Sequence, residues 1–460
     1  MEIFCLFCYN FVMNNSKTKQ NQSNTNDSVF PQEFLNSMQN LLGDEYEQFL
    51  LSLNQPKQSA IFVNNKIDLQ KFKQIVDFKI EPIMYEKNGF YVEEKLGRNP
   101  LHHAGAIYVQ EPSAMFTVNA HKFNGDELVL DMCASPGGKS IQIANRIPNG
   151  VLVSNEINPE RCGVLFSNIE RMGLKNVVIT NDTPKNIANA YANTFDVVLV
   201  DAPCSGEGMF RRGEQVVKEW NKNLPLMCAE RQIDILEQAN KTLKQNGFLI
   251  YSTCTYSTEE NEDVVKQFVN KHNYKLINID ADLPRGVGMK EAVRLYPHKV
   301  KGEGQFVAVL QKLEDNEFIA NSNLKLKVCP SAKEFVNKYC ESKDLSFFEY
   351  GNYAYYVKNL NLLKRGINYY SIGVRVGDIK EKRFEPTHNL FTAFGNLFKI
   401  KINVLPNDDL ATKYLKGETF DVDLTDGFGA FLIAGCATGG FKVASGKFKN
   451  HYPKGLRNFK

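Results

Sequence analysis

Two cysteines stand where a thiol could take part in covalent chemistry. Cys204 lies in "DAPCSGEGMFRR" and Cys254 in "YSTCTYSTEENED", and each follows an apolar run typical of a buried strand. A thiolate can add to an electron-poor carbon and later depart, so we predict covalent catalysis at this pair. A free thiol is mostly protonated near pH 7, so the site must favour the thiolate or couple its attack to protonation of the substrate. The other internal cysteines are expected to be buried and inert: Cys162, Cys228, Cys329, Cys340 and Cys436.

Charged side chains near this pair could support such a reaction. Asp201 ends the apolar run before Cys204, where it could hydrogen-bond and stabilise a protonated substrate ring. Lys139, in "CASPGGKS", is predicted to be a supporting cation.

The turn that carries Lys139 resembles two nucleotide-binding loops but matches neither. A Walker A loop needs a glycine five residues before its Gly-Lys-Ser, and that position is Cys133. The dinucleotide pattern GxGxxG is also absent from the sequence. What remains is a strand-to-helix turn in which Pro136, Gly137 and Gly138 let the backbone approach a ligand closely.

Acidic residues follow successive predicted strands beside this turn. Glu156 is placed to accept hydrogen bonds from a ribose diol, and Asp182 to accept one from an adenine amino group. Acids at neighbouring strand ends suit a nucleoside without phosphates, and S-adenosylmethionine (SAM) is such a ligand. The alternative is that these acids cap helices, as acids at strand ends often do.

A SAM site beside two cysteines indicates which atom is methylated. Enzymes that methylate exocyclic nitrogens commonly carry an Asn/Asp-Pro-Pro-aromatic turn after the fourth strand, whereas this chain has a cysteine there. Carbon C5 of cytosine is a poor nucleophile, but thiolate addition to C6 turns the ring into an enamine whose C5 can attack a methyl group. The residues therefore favour cytosine C5 methylation.

The surrounding pattern predicts the fold that positions these residues. Buried-strand runs occur at "LVLDM", "GVLVSNEI", "NVVITND", "FDVVLVD", "GFLIYSTC" and "GQFVAVLQ". Helical patterns separate them around 139–147, 159–172, 226–245 and 259–271. This alternation predicts an α/β, doubly wound and mostly parallel sheet, with ligands bound beyond the carboxyl ends of the strands.

Composition limits the remaining possibilities. The net charge of +3 is nearly neutral, so affinity for nucleic acid must come from a local basic face. The sequence contains no run of about 18 consecutive apolar residues, so we predict no membrane span. Scattered cysteines indicate the reducing cytoplasm. Cys5 and Cys8 form the one CxxC, and without a second pair we predict no metal site.

A basic C-terminal run is the predicted RNA surface. The sequence "FKVASGKFKNHYPKGLRNFK" interleaves cations with aromatic residues, which suits phosphate contacts and base stacking. The alternative is a solvated basic tail. The predicted contacts are Lys442, Lys447, Lys449, Lys454, Arg457, Phe448 and Tyr452, with Arg211, Arg212 and His298 as further residues near a flipped base.

From about Phe30 onward the chain resembles the Nol/Nop/Sun (RsmB/RsmF-type) family of RNA cytosine-5 methyltransferases, closest to its bacterial 16S rRNA RsmF-like branch. The resemblance is strongest in "YVQEPSAM", "DMCASPGGKS", "DAPCSGEGMFRR", "YSTCTYSTEENE" and "RLYPHKVKGEGQF". It implies a class I SAM-dependent methyltransferase with a Rossmann-like, mostly parallel seven-stranded sheet, a small N-terminal α+β domain and a C-terminal PUA-like region.

The resemblance also assigns roles to individual residues. Cys254 matches the family's nucleophile, and Cys204 matches the cysteine that assists release of the methylated product. Lys139 and Asp201 are implied to support catalysis. The cofactor site implied by the family comprises Cys133, Ala134, Ser135, Pro136, Gly137, Gly138, Lys139, Glu156, Asp182 and Asp201. Two departures are Cys133, where alanine is usual, and "CATGGFK", which lacks a usual tryptophan.

These observations together predict five segments and one leading function. The segments are a disordered tail (1–28), an N-terminal RNA-binding-type domain (29–98), the catalytic domain (99–313), a linker (314–324) and a C-terminal RNA-binding region (325–460). We expect a monomer that modifies 16S rRNA or the 30S subunit. The alternatives are a tRNA cytosine-5 methyltransferase and a non-catalytic ribosome-assembly factor that binds RNA.

Overall fold

The computed structural model describes residues 30–314, 317–341, 344–381 and 383–457. The predicted tail, the pair Cys5 and Cys8, and two residues of the predicted linker lie outside these ranges.

The N-terminal part begins with two helices and ends with a four-stranded antiparallel sheet. Its elements are α1 (Gln32–Leu42), α2 (Tyr46–Leu53), β1 (Ser59–Val63), α3 (Leu69–Ile75), β2 (Ile80–Ile83), β3 (Glu86–Val92), α4 (Pro100–His103), β4 (Ile107–Gln110) and α5 (Pro112–Asn119). The strand order is β2-β3-β1-β4. The fourth strand lies beyond residue 98, where the sequence predicts the end of this domain. The buried face of α1 and α2, with Phe34, Met38 and Phe49, packs against Phe210 and Trp220 of the middle part.

The middle part alternates strands and helices. Its elements are β5 (Leu128–Asp131), α6 (Gly138–Arg146), β6 (Val151–Asn155), α7 (Pro159–Met172), β7 (Val177–Thr180), α8 (Pro184–Ala190), β8 (Phe195–Asp201), α9 (Glu214–Glu219), α10 (Leu224–Thr242), β9 (Leu243–Thr253), α11 (Glu262–Lys271), β10 (Tyr274–Ile277), β11 (Arg285–Gly286), β12 (Met289–Leu295) and β13 (Gln305–Lys312). All six predicted strands are present. The prediction missed α8 and α9, and the helix predicted to reach residue 245 ends at Thr242 because Leu243 begins β9.

The central sheet has the predicted doubly wound architecture but more strands than predicted. Its order is β11-β12-β13-β9-β8-β5-β6-β7-β17, with β10 also paired to β13, so ten strands take part instead of seven. Five neighbours, β7, β6, β5, β8 and β9, are parallel. Their near-continuous burial explains the unbroken apolar runs in the sequence. The additional strands are short or polar and lie toward the sheet edges, where apolar periodicity is weak.

The C-terminal part contains two smaller sheets. Its elements are β14 (Lys327–Val328), α12 (Pro330–Tyr339), β15 (Phe347–Tyr350), β16 (Tyr353–Tyr356), β17 (Tyr369–Ser371), β18 (Val374–Lys380), β19 (Arg383–Pro386), α13 (His388–Phe394), β20 (Lys401–Val404), α14 (Asp409–Lys416), β21 (Phe420–Asp421), β22 (Gly427–Ile433), β23 (Cys436–Ala444) and β24 (Lys447–Asn450). The sheet orders are β14-β15-β16-β18-β19 and β20-β22-β23-β24-β21. One hydrophobic core joins the last sheet to the N-terminal sheet, with Phe431 and Phe448 beside Ile61 and Phe90. Within the described residues, no helix is both long and apolar enough to cross a membrane.

Candidate active site

The two predicted reactive cysteines lie together at the carboxyl ends of β8 and β9. These strands are parallel neighbours, with Asp201 opposite Ser252, so the loops that follow them leave the sheet side by side. The Sγ atoms of Cys204 and Cys254 are 3.2 Å apart, and both cysteines are partly accessible. The five cysteines expected to be inert are buried: Cys162, Cys228, Cys329, Cys340 and Cys436.

A buried carboxylate joins the two cysteine loops. Glu207 Oε2 accepts hydrogen bonds from Thr255 Oγ1 at 2.9 Å and from the Tyr256 amide at 3.0 Å. Its other oxygen accepts a hydrogen bond from Trp220 Nε1 at 3.2 Å. Burial raises the pKa of Glu207. The sequence analysis did not identify this residue, because two of its partners, Thr255 and Tyr256, are 48 and 49 positions away in the chain.

The backbone of the two loops also touches directly. The Gly208 amide donates to the carbonyl oxygen of Cys254 at 2.9 Å. A Cβ atom at position 208 would lie 2.6 Å from that same oxygen, a distance that real Cβ atoms do not show. Glycine at this position therefore permits the approach that brings the two thiols together.

The two thiols differ in their electrostatic surroundings. The hydrogen bond to Cys254, together with burial, raises the pKa of Cys204 well above its usual range. Cys204 therefore holds its proton, and its sulfur lies within hydrogen-bond distance of the sulfur of Cys254. Lys139 and Arg212 both interact electrostatically with Cys254.

Asp201 and Lys139, each predicted to support the reaction, form an ion pair beside the cysteines. Lys139 Nζ lies 2.8 Å from Asp201 Oδ2. Burial opposes the charge of Lys139, but the carboxylate outweighs it and raises the lysine pKa. Asp201 Oδ1 accepts hydrogen bonds from Ser252 Oγ at 2.7 Å and Gln305 Nε2 at 3.2 Å. The Asp201 side chain is still 30% exposed, so a ligand can reach it. The sequence analysis did not include Ser252 or Gln305 in the site. Ser252 lies near the carboxyl end of β9, and Gln305 begins the antiparallel strand β13 at the same edge of the sheet.

The glycine turn between β5 and α6 has little room for side chains. Gly137 has φ 112°, which favours glycine, and a Cβ atom at Gly138 would lie 3.0 Å from Gln110 Cδ. Arg161 from α7 holds the turn by donating from Nη2 to the Ser135 carbonyl at 2.9 Å. The Ala134 amide donates to the Asn155 carbonyl at 2.8 Å. The predicted segment Cys133–Lys139 is thus a fixed turn at the same sheet edge as the cysteines.

The predicted cofactor acids occupy the same edge, and both also make local hydrogen bonds. Glu156 Oε1 accepts from the Asn158 amide at 2.9 Å, and its Oε2 is 3.7 Å from Arg161 Nη2. Asp182 accepts from the Thr183 amide at 2.8 Å, from Asn186 Nδ2 at 2.7 Å and, from the C-terminal part, from the Asn368 amide at 3.1 Å. These two acids do not cap α7 and α8, whose N-termini are capped by the side chains of Asn158 and Thr183, and each carboxylate has lone pairs for further donors.

Asp131, at the end of β5, is a further acid that the sequence analysis did not include in the site. Its Oδ2 accepts a hydrogen bond from Ser140 Oγ at 2.7 Å, while Oδ1 is buried and has no partner among the described residues. Burial raises the pKa of Asp131 to about 7. A buried oxygen without a partner, beside a fixed glycine turn, is a position that a ligand donor can satisfy.

These residues fit a cationic nucleoside better than a nucleotide phosphate. Asp131, Glu156 and Asp182 offer acceptors for amino and hydroxyl groups. Lys139, the cation of the turn, is already neutralised by Asp201. The site therefore suits SAM, whose hydroxyl and amino groups need acceptors.

Solved methyltransferase structures share this fold. A structure described as a methyltransferase homolog from Pyrococcus horikoshii is 27% identical, with a TM-score of 0.54, covering 62% of this chain and 96% of that one. The structure of NSun6 from the same organism with SFG is 23% identical, with a TM-score of 0.59, covering 62% and 99% of the two chains. The fold and the site define a SAM-dependent methyltransferase.

Three family models match successive parts of the sequence. They are the N-terminal domain of 16S rRNA methyltransferase RsmF (residues 30–112), 16S rRNA methyltransferase RsmB/F (118–311) and the methyltransferase RsmF PUA domain (401–458). The chain belongs to the RsmB/F family, with the domains of its RsmF branch.

Two relatives show how far the similarity extends. Ribosomal RNA small subunit methyltransferase F of Shewanella piezotolerans is 29% identical over 93% of this chain and 97% of its own. The protein of the same name in Vibrio campbellii is 34% identical over 62% of this chain, and that alignment spans 63% of the relative's length, less than two thirds.

Three further residues expected near a flipped base instead join parts of the protein. Arg211 donates to the backbone carbonyls of Pro56 at 2.7 Å and Gly302 at 3.0 Å. Arg212 Nη2 lies 2.6 Å from Glu303 Oε2. The His298 side chain is buried, with Nε2 3.2 Å from Glu45 Oε2, which agrees with the alternative that it is a structural histidine.

The predicted C-terminal stacking surface is wrong in one respect. Phe448 and Tyr452 are buried in the core and cannot stack on bases. Alternation along β24 turns Phe448 inward. Arg457 donates to the Tyr452 carbonyl at 2.7 Å and is only partly exposed. The exposed cations are Lys442, Lys447, Lys449 and Lys454.

Proposed function

We propose that the protein is a SAM-dependent RNA cytosine-5 methyltransferase that acts on a cytosine of 16S ribosomal RNA through a covalent Cys254–C6 adduct. The observation that carries this proposal is the pair of thiols 3.2 Å apart, next to the Lys139–Asp201 ion pair. A methyltransferase acting on a nitrogen or oxygen atom has no need for two accessible thiols, whereas C5 methylation requires a nucleophile.

Cys254 begins the reaction in this proposal. Its thiolate adds to C6, and the C5–C6 π electrons move into the ring while N3 takes up a proton from solvent. Asp201, held by Ser252 and Gln305, hydrogen-bonds the N3/N4 edge and stabilises this protonated ring until N3 returns the proton to solvent at the end of the reaction. When bound, SAM supplies an electrophilic methyl group, which the activated C5 can accept.

Cys204 acts at the end of the reaction. After methylation C5 carries both a methyl group and a proton, and that proton leaves to solvent water. The C5–C6 double bond then re-forms, and the electron pair of the C6–S bond returns to the sulfur of Cys254. Because Cys204 retains its proton, it can donate a hydrogen bond to the departing thiolate and so promote release of the product.

The glycine turn and three acidic residues would hold the cofactor. The turn Cys133–Lys139 brings backbone close to it, Glu156 can accept from the ribose hydroxyls, and Asp182 can accept from the adenine amino group. Asp131, whose Oδ1 has no hydrogen-bond partner among the described residues, could accept a hydrogen bond from the cationic amino group of SAM.

The proposal of ribosomal RNA as substrate rests on the relatives' names and on the C-terminal sheet. Lys442 and Lys449 stand directly opposite each other on β23 and β24, with both side chains exposed. Like charges in that position repel, so an anionic partner would relieve a cost that the isolated sheet carries. The free thiols fit the reducing cytoplasm, where ribosomes are modified.

Bisulfite sequencing of 16S rRNA, 23S rRNA and tRNA, from cells with and without this gene, tests the proposed function. We expect one or a few 16S cytosines to lose protection in the deletion strain. Loss of protection in tRNA instead would support the tRNA alternative. If no RNA changes, the proposal of a cytosine-5 methyltransferase is wrong and a non-catalytic role in ribosome assembly gains support.

A further inference from the structure

Two polar side chains behind the cysteine loop bind the backbone on both sides of Cys204. Gln232, on α10, donates from Nε2 to the Pro203 carbonyl at 3.0 Å. Glu260, in the turn after β9, accepts from the Ser205 amide at 2.9 Å through Oε2. The residue before Cys204 and the residue after it are therefore each held by a different side chain.

The two side chains also bind each other. Gln232 Nε2 lies 2.8 Å from Glu260 Oε2, the same oxygen that accepts from Ser205. Tyr251 on β9 places its hydroxyl 2.9 Å from Gln232 Oε1 and 2.6 Å from the Glu260 carbonyl. We call Gln232 and Glu260, with Tyr251 behind them, the Cys204 clamp.

The clamp is costly to bury. Gln232, Glu260 and Tyr251 are fully buried, and Glu260 Oε1 has no partner among the described residues. The free energy cost of burying an amide and a carboxyl group has to be offset by the hydrogen bonds that they make. The backbone bonds flanking Cys204 are made by the same atoms that join the two residues, so the clamp fixes the position of a single thiol.

We propose that Gln232 and Glu260 are positioning residues that hold Cys204 against Cys254 and thereby promote release of the methylated RNA. This inference rests on the proposed function, in which Cys204 stabilises the departing sulfur. Without the clamp, the loop can move Cys204 away, while Cys254, the Lys139–Asp201 pair and the cofactor turn keep their places. Addition to C6 should then continue, and release should slow.

The readout is a covalent complex with ordinary RNA. Incubation with unsubstituted rRNA and SAM, followed by denaturing electrophoresis, measures how much protein remains attached to RNA. Cys204→Ala is the reference that should accumulate the complex. A displacement of about 1 Å in a reacting group can change a rate by as much as 100-fold, so Gln232→Met and Glu260→Ala should raise the complex by on the order of 10-fold over wild type.

Two variants separate this role from a loss of stability. Glu260→Gln keeps a carbonyl oxygen that can accept from both Ser205 and Gln232, and should stay close to the wild-type level. Tyr274→Phe removes a buried hydrogen bond of 2.8 Å to Asn240 on the same helix, α10, far from Cys204, and should also leave the complex at the wild-type level. Tyr251→Phe, which loses one hydroxyl group, is the mildest clamp variant and should give a smaller rise.

The results distinguish three cases. A rise in the clamp variants with normal Glu260→Gln and Tyr274→Phe supports the proposal. If Cys204→Ala accumulates the complex while no folded clamp variant does, including Tyr251→Phe, the clamp proposal is overturned and the proposed function stands. If wild type fails to trap RNA containing 5-fluorocytosine and Cys204→Ala accumulates nothing, the proposed function fails.

Discussion

The carboxyl end of the central sheet and the C-terminal hairpin arrange their side chains in opposite ways. At the sheet end, residues from distant parts of the chain converge, so that Cys204 and Cys254 come within 3.2 Å of each other. In the hairpin formed by β23 and β24, chain neighbours diverge, because Phe448 turns into the core while Lys447 and Lys449 remain exposed.

The difference follows from strand geometry. Parallel neighbours end at one edge, so residues just beyond each strand are brought together whatever their separation in the chain. Successive residues within a strand point to opposite faces, so an alternation of lysine and phenylalanine separates charge from ring. A functional pattern in a sequence therefore has to be interpreted together with the element that carries it.

The largest expected effect comes from breaking the convergence at Asp201. Asp201→Asn removes the charge that pairs with Lys139 and the acceptor that would stabilise the ring. We expect methyl transfer to rRNA to fall by about 10²- to 10³-fold, with little change in the free energy of unfolding. The matched control is Asp196→Asn, at the other end of β8, where the carboxylate pairs with Lys244 at 2.6 Å. Equal losses in both variants would contradict a special role for the sheet's carboxyl end.

The hairpin gives the next largest effect, and it is an effect on stability. Phe448→Ala removes a ring that stacks on Phe420 and Phe441, with centroid distances of 4.3 and 4.7 Å. Denaturant unfolding should show a loss of about 3–5 kcal/mol. Lys449→Ala, one position along, should change stability by no more than about 0.5 kcal/mol. Weaker RNA binding by Phe448→Ala at unchanged stability would restore the stacking role that the structure argues against.

The exposed face of the hairpin should govern RNA affinity. Replacing Lys442, Lys447 and Lys449 together by alanine should weaken binding to rRNA fragments with no loss of stability. If all three contact phosphates, the slope of log affinity against log salt should become less steep by on the order of 2. An unchanged slope would mean that the hairpin is a solvated basic surface.

The contact between the C-terminal part and the N-terminal part should weaken in acid, because partly buried histidines lie on both sides of it. Burial and the charge of Arg171 lower the pKa of His103 to about 4 and that of His102 to about 2. Burial and the charge of Lys66 lower the pKa of His388 to about 3. The unfolded chain, with histidine pKa values near 6.5, binds protons first as the pH falls.

The three histidines should therefore lower the free energy of unfolding as the pH falls from about 6.5 toward 4, whereas the raised pKa values of Asp131 and Glu170, both to about 7, act in the opposite direction. Denaturant titrations at several pH values measure this dependence. His388→Asn should reduce the dependence, since it removes one of the protonating groups. If wild type and His388→Asn lose the same amount of stability between pH 7 and 4, the lowered pKa of His388 is contradicted.

Much of the catalytic edge was predictable from the sequence, because each strand is an unbroken apolar run and ends in a polar residue. The supporting residues were not predictable. Glu207 lies in the motif "DAPCSGEGMFRR", but its hydrogen bonds to Thr255 and Tyr256 depend on tertiary packing, and Gln232 stands in no recognisable pattern. The surroundings of Asp182 were not predictable either. Its carboxylate accepts a hydrogen bond from the Asn368 amide, which is near only because β17 of the C-terminal part joins the central sheet.

The roles assigned to the two thiols can be tested directly by trapping with RNA that contains 5-fluorocytosine at the modified site. Fluorine at C5 cannot leave as a proton does, so an enzyme that adds to C6 stays attached to the RNA. Wild type and Cys204→Ala should both give the covalent complex in the presence of SAM, and Cys254→Ala should give none. A complex formed by Cys254→Ala as readily as by wild type would contradict the assignment of Cys254 as the nucleophile.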